Sequence, residues 1–445
     1  MGITVLRLPP STFAERRRRV LERLPPGAAM LLPTHGEVTR SNTTSFPFRP
    51  NSDFYYLSGF PEPDAWLLLK QGGVDAGTHL FVLPRDRERE TWTGRRHGEE
   101  GARTRFGADF AWPLPELDTQ LARLLEDVDA LYFAFGRHPA KERRLHRVLA
   151  KVRVGRKPGL GPSSLHDPDL LLSEMRLHKS PEELQVMRKG VEISAEAHLA
   201  AMQQVRAGMH EYEIQALVEY TFRRRGAWGW AYPSIVAGGD NACILHYVHN
   251  DGQFRDGDLM LIDAGAEVDG YATDITRTTP VGPRYHGAQR EAYELVLRVQ
   301  QQAIDRVVVG GSINAIHHEV LRELTQGMID LGVLKGEVEE LIEAKEHEAY
   351  YPHRTSHWLG VDVHDVGRYS LREGGDKLFE PGQVLTVEPG LYFPADDERL
   401  PEAFRGIGIR IEDDVLVTEG RPEVLTRAVP KQIDEVEAIR REALG

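Results

Sequence analysis

The chain has 445 residues, with 68 acidic and 55 basic side chains and a formal net charge of −13 at neutral pH. This length allows two or three domains with ample core, and the negative balance disfavours nucleic acid and anionic membrane as partners. No apolar run approaches the roughly eighteen residues of a membrane span. The single cysteine, Cys243, precludes internal disulfides and fits a cytoplasmic location.

The first part of the chain predicts a small α/β domain. A charged helix over 12–24 opens it, and the run Arg16–Arg19 in that helix is predicted to face solvent. Strand-like runs at 80–83 and 130–134 then alternate with helical segments, and a loop at 159–164 follows. The predicted boundary near residue 175 gives an N-terminal domain over 1–175 and a second domain over 176–445.

The second domain begins with a recognisable helix start. Ser180 can cap the helix, Pro181 fits its first turn, and Glu183 completes a capping box. Further helices are predicted over 211–225, 287–308 and 312–331, and β segments dominate from 380 to 418. The run His317-His318-Glu319 lies in an amphipathic helical stretch and is predicted to be solvated surface.

Four carboxylates and one imidazole lie at strands or strand ends in this second domain. Asp263 closes an apolar run, and Val268-Asp269-Gly270 supplies turn chemistry before Asp274, so a hairpin can bring both aspartates side by side. The other three residues are His357, Glu388 and Glu412. Four carboxylates in one site would repel each other strongly, so a shared site makes sense mainly with bound metal.

The charge of four carboxylates fits two divalent ions. Two ions roughly 3.5–4 Å apart can hold one water between them, lower its pKa to about 7 and polarise a carbonyl. The donor set is rich in oxygen and has no thiolate, which favours Mn²⁺, with Co²⁺, Fe²⁺ or Zn²⁺ as alternatives.

Polar residues alternate with isoleucines near residue 410, and this pattern predicts that Arg410 supports a metal-binding carboxylate. Arg410 and Glu412 alternate with isoleucines, so period two places both on one face together with Gly408, which leaves space there. Arg410 can therefore brace a metal-binding carboxylate and fix its orientation. Tyr392, four residues after Glu388, fits pocket lining and core packing equally well.

Six motifs occur in one order: NACILHY at 241–247, LIDAG at 261–265, YATDITR at 271–277, SHWLGVDVHDVG at 356–367, TVEPGLY at 386–392 and GIGIRIEDD at 406–414. Together they resemble the aminopeptidase P members of the pita-bread metallopeptidase family. The stretches 51–60 and 92–96 resemble the family's N-terminal domain, so the resemblance covers nearly the whole chain.

The resemblance implies a fold and a ligand set. The fold is α/β (α+β), with a small N-terminal α/β domain and a C-terminal pita-bread domain whose curved, mainly antiparallel sheet is covered by helices. In the family pattern, Asp263 and Asp274 hold one metal. Asp274 and Glu412 bridge to the second, which His357 and Glu388 complete. Glu388 is also implied as the proton shuttle.

Three further histidines resemble the family's substrate-binding groups. His246, His353 and His364 are implied to bind substrate and to steady the oxyanion, because imidazoles can donate the hydrogen bond that this charge needs. Each could instead be an ordinary core or surface histidine, above all His353, whose spacing from His357 is common in helices and turns. Trp92 is expected to line the cleft, and a contact across a subunit boundary is one way to do so.

The implied reaction is hydrolysis of the first peptide bond of peptides with proline at the second position. The family also implies a homo-oligomer, either a dimer or a tetramer. A prolidase, which cleaves only Xaa-Pro dipeptides, would use the same five ligands and add a basic residue that clamps the free carboxylate. A non-catalytic pita-bread binding protein is a third alternative, but such proteins typically lose ligands and none is lost here.

Overall fold

The computed structural model describes residues 7–154 and 160–445. They include two compact units, one over Leu8–Met175 and the other containing Arg176–Gly445. The predicted loop at 159–164 lies partly outside the described residues. In the described part of the chain, no helix is both long and apolar enough to cross a membrane.

The N-terminal unit combines helices with a mixed sheet. Its helices are α1 (Pro10–Arg23), α2 (Ser52–Ser58), α3 (Arg87–Thr93), α4 (Gly98–Thr104), α5 (Leu117–Leu124), α6 (Pro139–Arg153) and α7 (Asp169–Leu177), the last of which continues into the second unit. Its strands are β1 (Ala28–Pro33), β2 (Thr39–Ser41), β3 (Thr44–Ser45), β4 (Trp66–Lys70), β5 (Gly77–Val82), β6 (Phe110–Pro113), β7 (Ala130–Tyr132) and β8 (Ser164–His166). The main sheet has the order β6-β5-β4-β1-β7-β8.

The first helix corrects the prediction that its arginine run faces solvent. Arg16 and Arg17 are buried, and their Nη1 atoms donate to the carbonyl oxygens of Tyr56 and Leu57, each at 2.9 Å. These carbonyls lie in the last turn of α2, where backbone oxygens lack helical partners and need donors. Arg18, the next residue, is exposed as predicted.

The second unit packs helices against antiparallel strands. Its helices are α8 (Pro181–Gln204), α9 (Glu211–Arg224), α10 (Gly287–Asp305), α11 (Ile313–Asp330), α12 (Val338–Glu343) and α13 (Ile433–Leu444). Its strands are β9 (Gly229–Trp230), β10 (Ile235–Gly238), β11 (Leu259–Asp263), β12 (Ala266–Glu267), β13 (Thr276–Pro280), β14 (Val384–Val387), β15 (Gly390–Phe393), β16 (Ile407–Arg410), β17 (Asp413–Leu416) and β18 (Glu423–Val424).

The strands of this unit form four antiparallel groups, which are β10-β11-β13, β14-β17-β18, β9-β12 and β15-β16. One large apolar core joins α10 and α11 to the strands. It contains Val296 and Leu324 from the helices and Leu385, Ile409 and Val415 from the strands. The helices therefore cover one side of the sheet, and the polar faces of the strands are left to build a site.

Local sequence signals are accurate in this unit. The Ser180 side chain accepts from the Glu183 amide at 3.3 Å, and the Glu183 carboxylate accepts from the Ser180 amide at 2.8 Å, which is the predicted capping box. The hairpin turn is also as predicted, because Asp269 and Gly270 have φ angles of 47° and 81°. Two consecutive positive φ values define a type I′ turn.

The structure corrects the prediction for one residue of the 317–319 run. His318 and Glu319 are exposed, but His317 is half-buried and its Nδ1 lies 2.9 Å from Thr355 Oγ1. Burial and the nearby cation of Arg354 lower the pKa of His317 to about 4. The helical period alone could not predict this contact, because His317 and Thr355 are 38 residues apart in the sequence.

Candidate metal centre

Thr276, the first residue of β13, holds three site residues together. Asp263, the last residue of β11, pairs with Thr276 in register. The Glu412 amide donates to the Thr276 carbonyl at 3.1 Å, and the Thr276 hydroxyl donates to Glu412 Oε2 at 2.7 Å. Asp274 lies two residues before Thr276. Strand pairing therefore brings three carboxylates from distant parts of the chain into one place.

Strand β14 positions the other two predicted ligands. The Thr386 amide donates to the carbonyl of His357 at 3.0 Å, and the Glu388 amide donates to the carbonyl of Thr355 at 2.9 Å. The segment that carries His357 thus runs beside the end of the strand that leads into Glu388. The two side chains meet as a result, with His357 Nε2 at 3.5 Å from Glu388 Oε1.

The imidazole of His357 points its Nε2 atom at two carboxylates. Its Nδ1 lies 3.0 Å from the Trp358 carbonyl, which can only accept, so Nδ1 carries the hydrogen. Its Nε2 therefore faces Asp274 Oδ2 at 3.4 Å as well as Glu388. Donor atoms of Asp274, His357 and Glu412 all lie within 4.8 Å of one another, close enough for one ion to reach all three.

The electrostatics of the site call for positive charge. Burial, followed by repulsion from the neighbouring carboxylates, raises the pKa values of Asp274 and Glu412 and raises that of Glu388 to about 7. Burial lowers the pKa of His357, but Asp274 and Glu388 outweigh burial and raise it to about 9. Among the described residues, Glu412 Oε1 is buried without a hydrogen-bond partner. This donor set fits divalent cations, which would neutralise the carboxylates and engage that oxygen.

Arg410 braces a different carboxylate from the one beside it in sequence. Its guanidinium donates to Asp263 Oδ2 at 2.7 Å, to the Thr276 hydroxyl at 3.1 Å and to the Tyr392 hydroxyl at 2.9 Å. Gly408 lies on the same strand, and a Cβ there would come within 2.4 Å of the Ala242 backbone. The space predicted at this glycine is therefore taken by another chain segment.

Tyr392 connects this arginine to His353. The Nδ1 of His353 lies 2.8 Å from the carbonyl of Arg354, so that nitrogen carries the hydrogen and Nε2 accepts from the Tyr392 hydroxyl, also at 2.8 Å. Burial, with the charge of Arg410, lowers the pKa of His353 to about 3, which keeps the ring neutral. The three side chains form one hydrogen-bonded row.

Two further polar residues at the centre were not singled out from the sequence, although Asp414 lies in the 406–414 motif. The Tyr232 hydroxyl lies 2.6 Å from Asp263 Oδ1 and 2.5 Å from Asp274 Oδ1. Asp414 Oδ2 accepts from the Asp274 amide at 3.3 Å. Tyr232 lies in a loop 31 residues before Asp263, and only the pairing of β10 with β11 brings it there.

A cavity of about 670 Å³ opens above this cluster. Its lining includes all five predicted ligands, Arg410 and the three predicted histidines His246, His353 and His364. The His364 ring is edge-on to that of His357, with centroids 4.4 Å apart. Apolar side chains complete the wall, namely Ile235, Leu245, Val248 and Val363.

Trp92 lies in the other unit, on α3, and is 86% exposed. Its predicted position at the cleft remains a prediction.

The segment 239–251, which carries His246, is fastened at its ends by one buried carboxylate. Glu211 Oε1 accepts from the amide of Gly238 at 2.7 Å and from Asn241 Nδ2 at 2.9 Å. Glu211 Oε2 accepts from the amide of Gly252 at 2.7 Å and from the Tyr247 hydroxyl at 2.8 Å. We call this arrangement the Glu211 knot.

Comparison with known proteins matches both units of the chain. Residues 185–419 match the model of metallopeptidase family M24, and residues 13–132 match that of the aminopeptidase P N-terminal domain. The chain belongs to metallopeptidase family M24. The predicted fold is confirmed, with an α/β N-terminal domain and a pita-bread catalytic domain.

Relatives of this M24 chain are similar over their full length. It is 44% identical over 429 residues to the Xaa-Pro aminopeptidase of Escherichia coli, which covers 96% of this chain and 97% of that protein. A solved structure of Pseudomonas aeruginosa aminopeptidase PepP matches with a TM-score of 0.96 and 44% identity, covering 98% and 99% of the two chains. A solved structure of E. coli aminopeptidase P with the inhibitor Pro-Leu matches with a TM-score of 0.94 and 43% identity. The match covers 99% of this chain and 100% of that chain.

Proposed function

We infer that this chain is an Xaa-Pro aminopeptidase, a metal-dependent hydrolase that cleaves the first peptide bond of substrates with proline at the second position. One observation carries the inference: five donor residues from separate motifs converge at the base of a single cavity, in a chain of the M24 family. The similarity to Xaa-Pro aminopeptidases over nearly the whole chain supports the proline specificity.

We propose that Asp263 and Asp274 hold one divalent ion, and that Asp274 and Glu412 bridge to a second, completed by His357 and Glu388. Mn²⁺ is the proposed ion, since the donors are mainly oxygens, and Co²⁺, Fe²⁺ or Zn²⁺ would also fit. When bound, the ions supply a hydroxide at neutral pH and polarise the scissile carbonyl.

Glu388 is the proposed proton carrier. It takes the proton from the attacking water and delivers it to the prolyl nitrogen as the carbon–nitrogen bond breaks, so the amine leaves neutral. Its position supports this role, because it lines the cavity and its Oε1 faces His357 while its Oε2 lies 3.9 Å from His353 Nδ1.

The histidines of the cavity are proposed to orient substrate. His364 and His246 can donate hydrogen bonds to the oxygen that becomes negative during attack. His353 is neutral and held by Tyr392, so its proposed task is to keep Arg410 and the ligand Asp263 in place.

The apolar wall of the cavity is the proposed proline pocket. A prolyl nitrogen carries no hydrogen, so this part of the site needs no acceptor for it and can be lined by hydrocarbon. Ile235, Val248 and Val363 offer such a lining. We further propose a cytoplasmic homo-oligomer, either a dimer or a tetramer, in which Trp92 approaches the cleft.

Metal reconstitution tests the function. Chelator-treated protein receives Mn²⁺, Co²⁺ or Zn²⁺ stepwise while cleavage of an Xaa-Pro dipeptide and an Xaa-Pro-Yaa tripeptide is followed. We expect tripeptide cleavage that saturates at two ions per chain. Asp274→Asn, which weakens the proposed bridge, should lose at least about a hundredfold in activity, whereas Asp256→Asn, an exposed control, should not.

The outcomes separate the alternatives. Activity confined to the dipeptide would assign the chain as a prolidase. Two bound ions without cleavage of either peptide would reject the proline specificity, and full activity of Asp274→Asn would reject the bridging ligand.

A further inference from the structure

The cavity lining includes two arginines, which differ in burial and in hydrogen bonding. Arg410 is buried, and each of its three guanidinium nitrogens donates to the protein, to Thr276, Tyr392 and Asp263. Arg354 is exposed, yet it also lines the cavity. Its Nη2 donates to Asn314 Oδ1, and within the described residues it makes no ion pair with a carboxylate. Most of its donors therefore remain available for a ligand.

The surroundings of Arg354 hold its guanidinium in place. The guanidinium carbon lies 5.3 Å from the centroid of the Tyr369 ring, a cation–π contact. Asn314 is fixed in turn, because its Nδ2 donates to Asp376 Oδ1 at 2.7 Å and to Ser370 Oγ at 3.1 Å. An arginine held by an amide and an aromatic face is preorganised, so it loses little side-chain entropy when it binds an anion.

The carboxylate that holds Asn314, Asp376, already has hydrogen-bond partners. Asp376 accepts from Ser312 Oγ at 2.6 Å as well as from Asn314, and these hydrogen bonds lower its pKa. It shares Asn314 with Arg354 without forming an ion pair with it. The positive charge of Arg354 is thus left without an opposite charge on the protein at hydrogen-bond distance.

The cavity therefore has carboxylates at one end and a positively charged side chain at the other. Asp263, Asp274, Glu388 and Glu412 lie together at the metal cluster, and Arg354 lines the same cavity next to His353, the residue whose Nδ1 lies 3.9 Å from Glu388 Oε2. Glu388 is the group proposed to protonate the leaving prolyl nitrogen. The part of the substrate that follows proline therefore leaves the reaction centre on the side of Arg354.

We propose that Arg354 recognises a carboxylate on the peptide beyond the proline, so that the enzyme prefers short Xaa-Pro-Yaa peptides with a free C-terminus. This inference rests on the proposed function and deepens it by naming a substrate class. The same chemistry is available from an acidic side chain directly after proline in a longer peptide. Bidentate pairing of a guanidinium with a carboxylate supplies the specificity in either case.

The experiment compares an acid with its amide. The metal-loaded full chain, Arg354→Gln and the exposed control Arg284→Gln are assayed with an Xaa-Pro-Yaa tripeptide and with the same tripeptide amidated at its C-terminus. We expect the wild-type kcat/KM to favour the acid about tenfold, through KM. Arg354→Gln should bring the ratio of acid to amide close to one, Arg354→Lys should restore part of it, and the control should keep it.

Longer amidated peptides with Asp or Ala after proline distinguish the source of the carboxylate. A preference for Asp that disappears in Arg354→Gln, without any preference for the free tripeptide, would assign the site to acidic side chains. If the wild type shows equal kcat/KM for the tripeptide acid and its amide, and also equal kcat/KM for the longer peptides with Asp and Ala, the inference is overturned. Equal losses for acid and amide in Arg354→Gln would overturn it as well. Cleavage of the amides themselves tests the proposed function separately, because it does not depend on Arg354.

Discussion

At the level of single residues, the row formed by Arg410, Tyr392 and His353 links an uncharged imidazole to Asp263, a proposed metal ligand. Arg410 holds the Asp263 carboxylate, and Tyr392 holds both Arg410 and the neutral ring of His353. The Tyr392 hydroxyl is fully used, since it accepts from one neighbour and donates to the other. Sequence could not choose between pocket lining and core packing for Tyr392, and the structure gives it a buried bridging position.

Removing this hydroxyl is the prediction at the residue scale. Tyr392→Phe keeps the ring and deletes the bridge, so Arg410 and His353 both lose a partner inside the protein. We expect kcat/KM to fall by about ten- to a hundredfold, as for other groups that orient metal ligands. Tyr212→Phe, on the exposed side of α9, should have wild-type activity. Unchanged activity of Tyr392→Phe would show that the row does not position the ligand.

At the level of elements, buried arginines of α1 donate to backbone carbonyl oxygens of α2, although the sequence predicted that these arginines face solvent. Arg17 donates to the carbonyl oxygens of Leu57, Phe106 and Gly107, so one side chain satisfies three backbone acceptors from two segments. Arg18, its neighbour, is exposed and pairs with Glu15 and Glu22 on the same helix. Adjacent arginines of one helix are therefore expected to contribute differently to the stability of the fold.

The matched pair Arg17→Ala and Arg18→Ala tests this difference. Arg17→Ala leaves buried carbonyl oxygens without donors and should destabilise the N-terminal unit by about 2–4 kcal/mol. Arg18→Ala removes exposed, solvent-screened ion pairs and should leave the stability close to that of the wild type. Hydrogen exchange of the α2 amides in the full chain measures both. Similar protection factors in the two variants would refute the capping role of Arg17.

At the level of the whole molecule, acid stability depends partly on histidines that are kept neutral. His198 of α8 is buried, its Nε2 lies 2.9 Å from the carbonyl of Ala264, and burial lowers its pKa to about 4. An unfolded histidine has a pKa near 6.5. Between these two values the unfolded chain binds more protons than the folded chain, so this group lowers stability as the pH falls from about 6.5 towards 4.

The comparison of wild type with His198→Gln isolates that contribution. Glutamine can still donate to the Ala264 carbonyl but does not titrate. Chelator-treated proteins are used, so the carboxylates of the site titrate alike in both. Between pH 7 and pH 5 the wild type should lose about 2 kcal/mol more than the variant, measured by hydrogen exchange of α8. His318→Gln, at an exposed position, should follow the wild type, and parallel curves for His198→Gln and wild type would contradict the prediction.

Sequence reasoning succeeded where the cause of a structure is local. The capping box at Ser180, the type I′ turn at 269–270 and the helices α8 to α11 follow from residues within one or two turns of each other. Local sequence predicted that a hairpin brings Asp263 and Asp274 together, whereas the grouping of all five proposed ligands was implied by the resemblance of their motifs to a known family. Burial of Arg16, Arg17 and His317 was missed, since it is decided by partners about 40 residues away.

The Glu211 knot attaches the segment 239–251 to α9 at both of its ends. The two end amides, of Gly238 and Gly252, donate to the carboxylate, and the side chains of Asn241 and Tyr247 within the segment add two further hydrogen bonds. The segment also carries Leu245, His246 and Val248, which line the cavity. A loop grafted between the same two glycines would keep both backbone attachments, and with Asn241 and Tyr247 retained it would keep all four hydrogen bonds to Glu211 while giving the cavity a different wall.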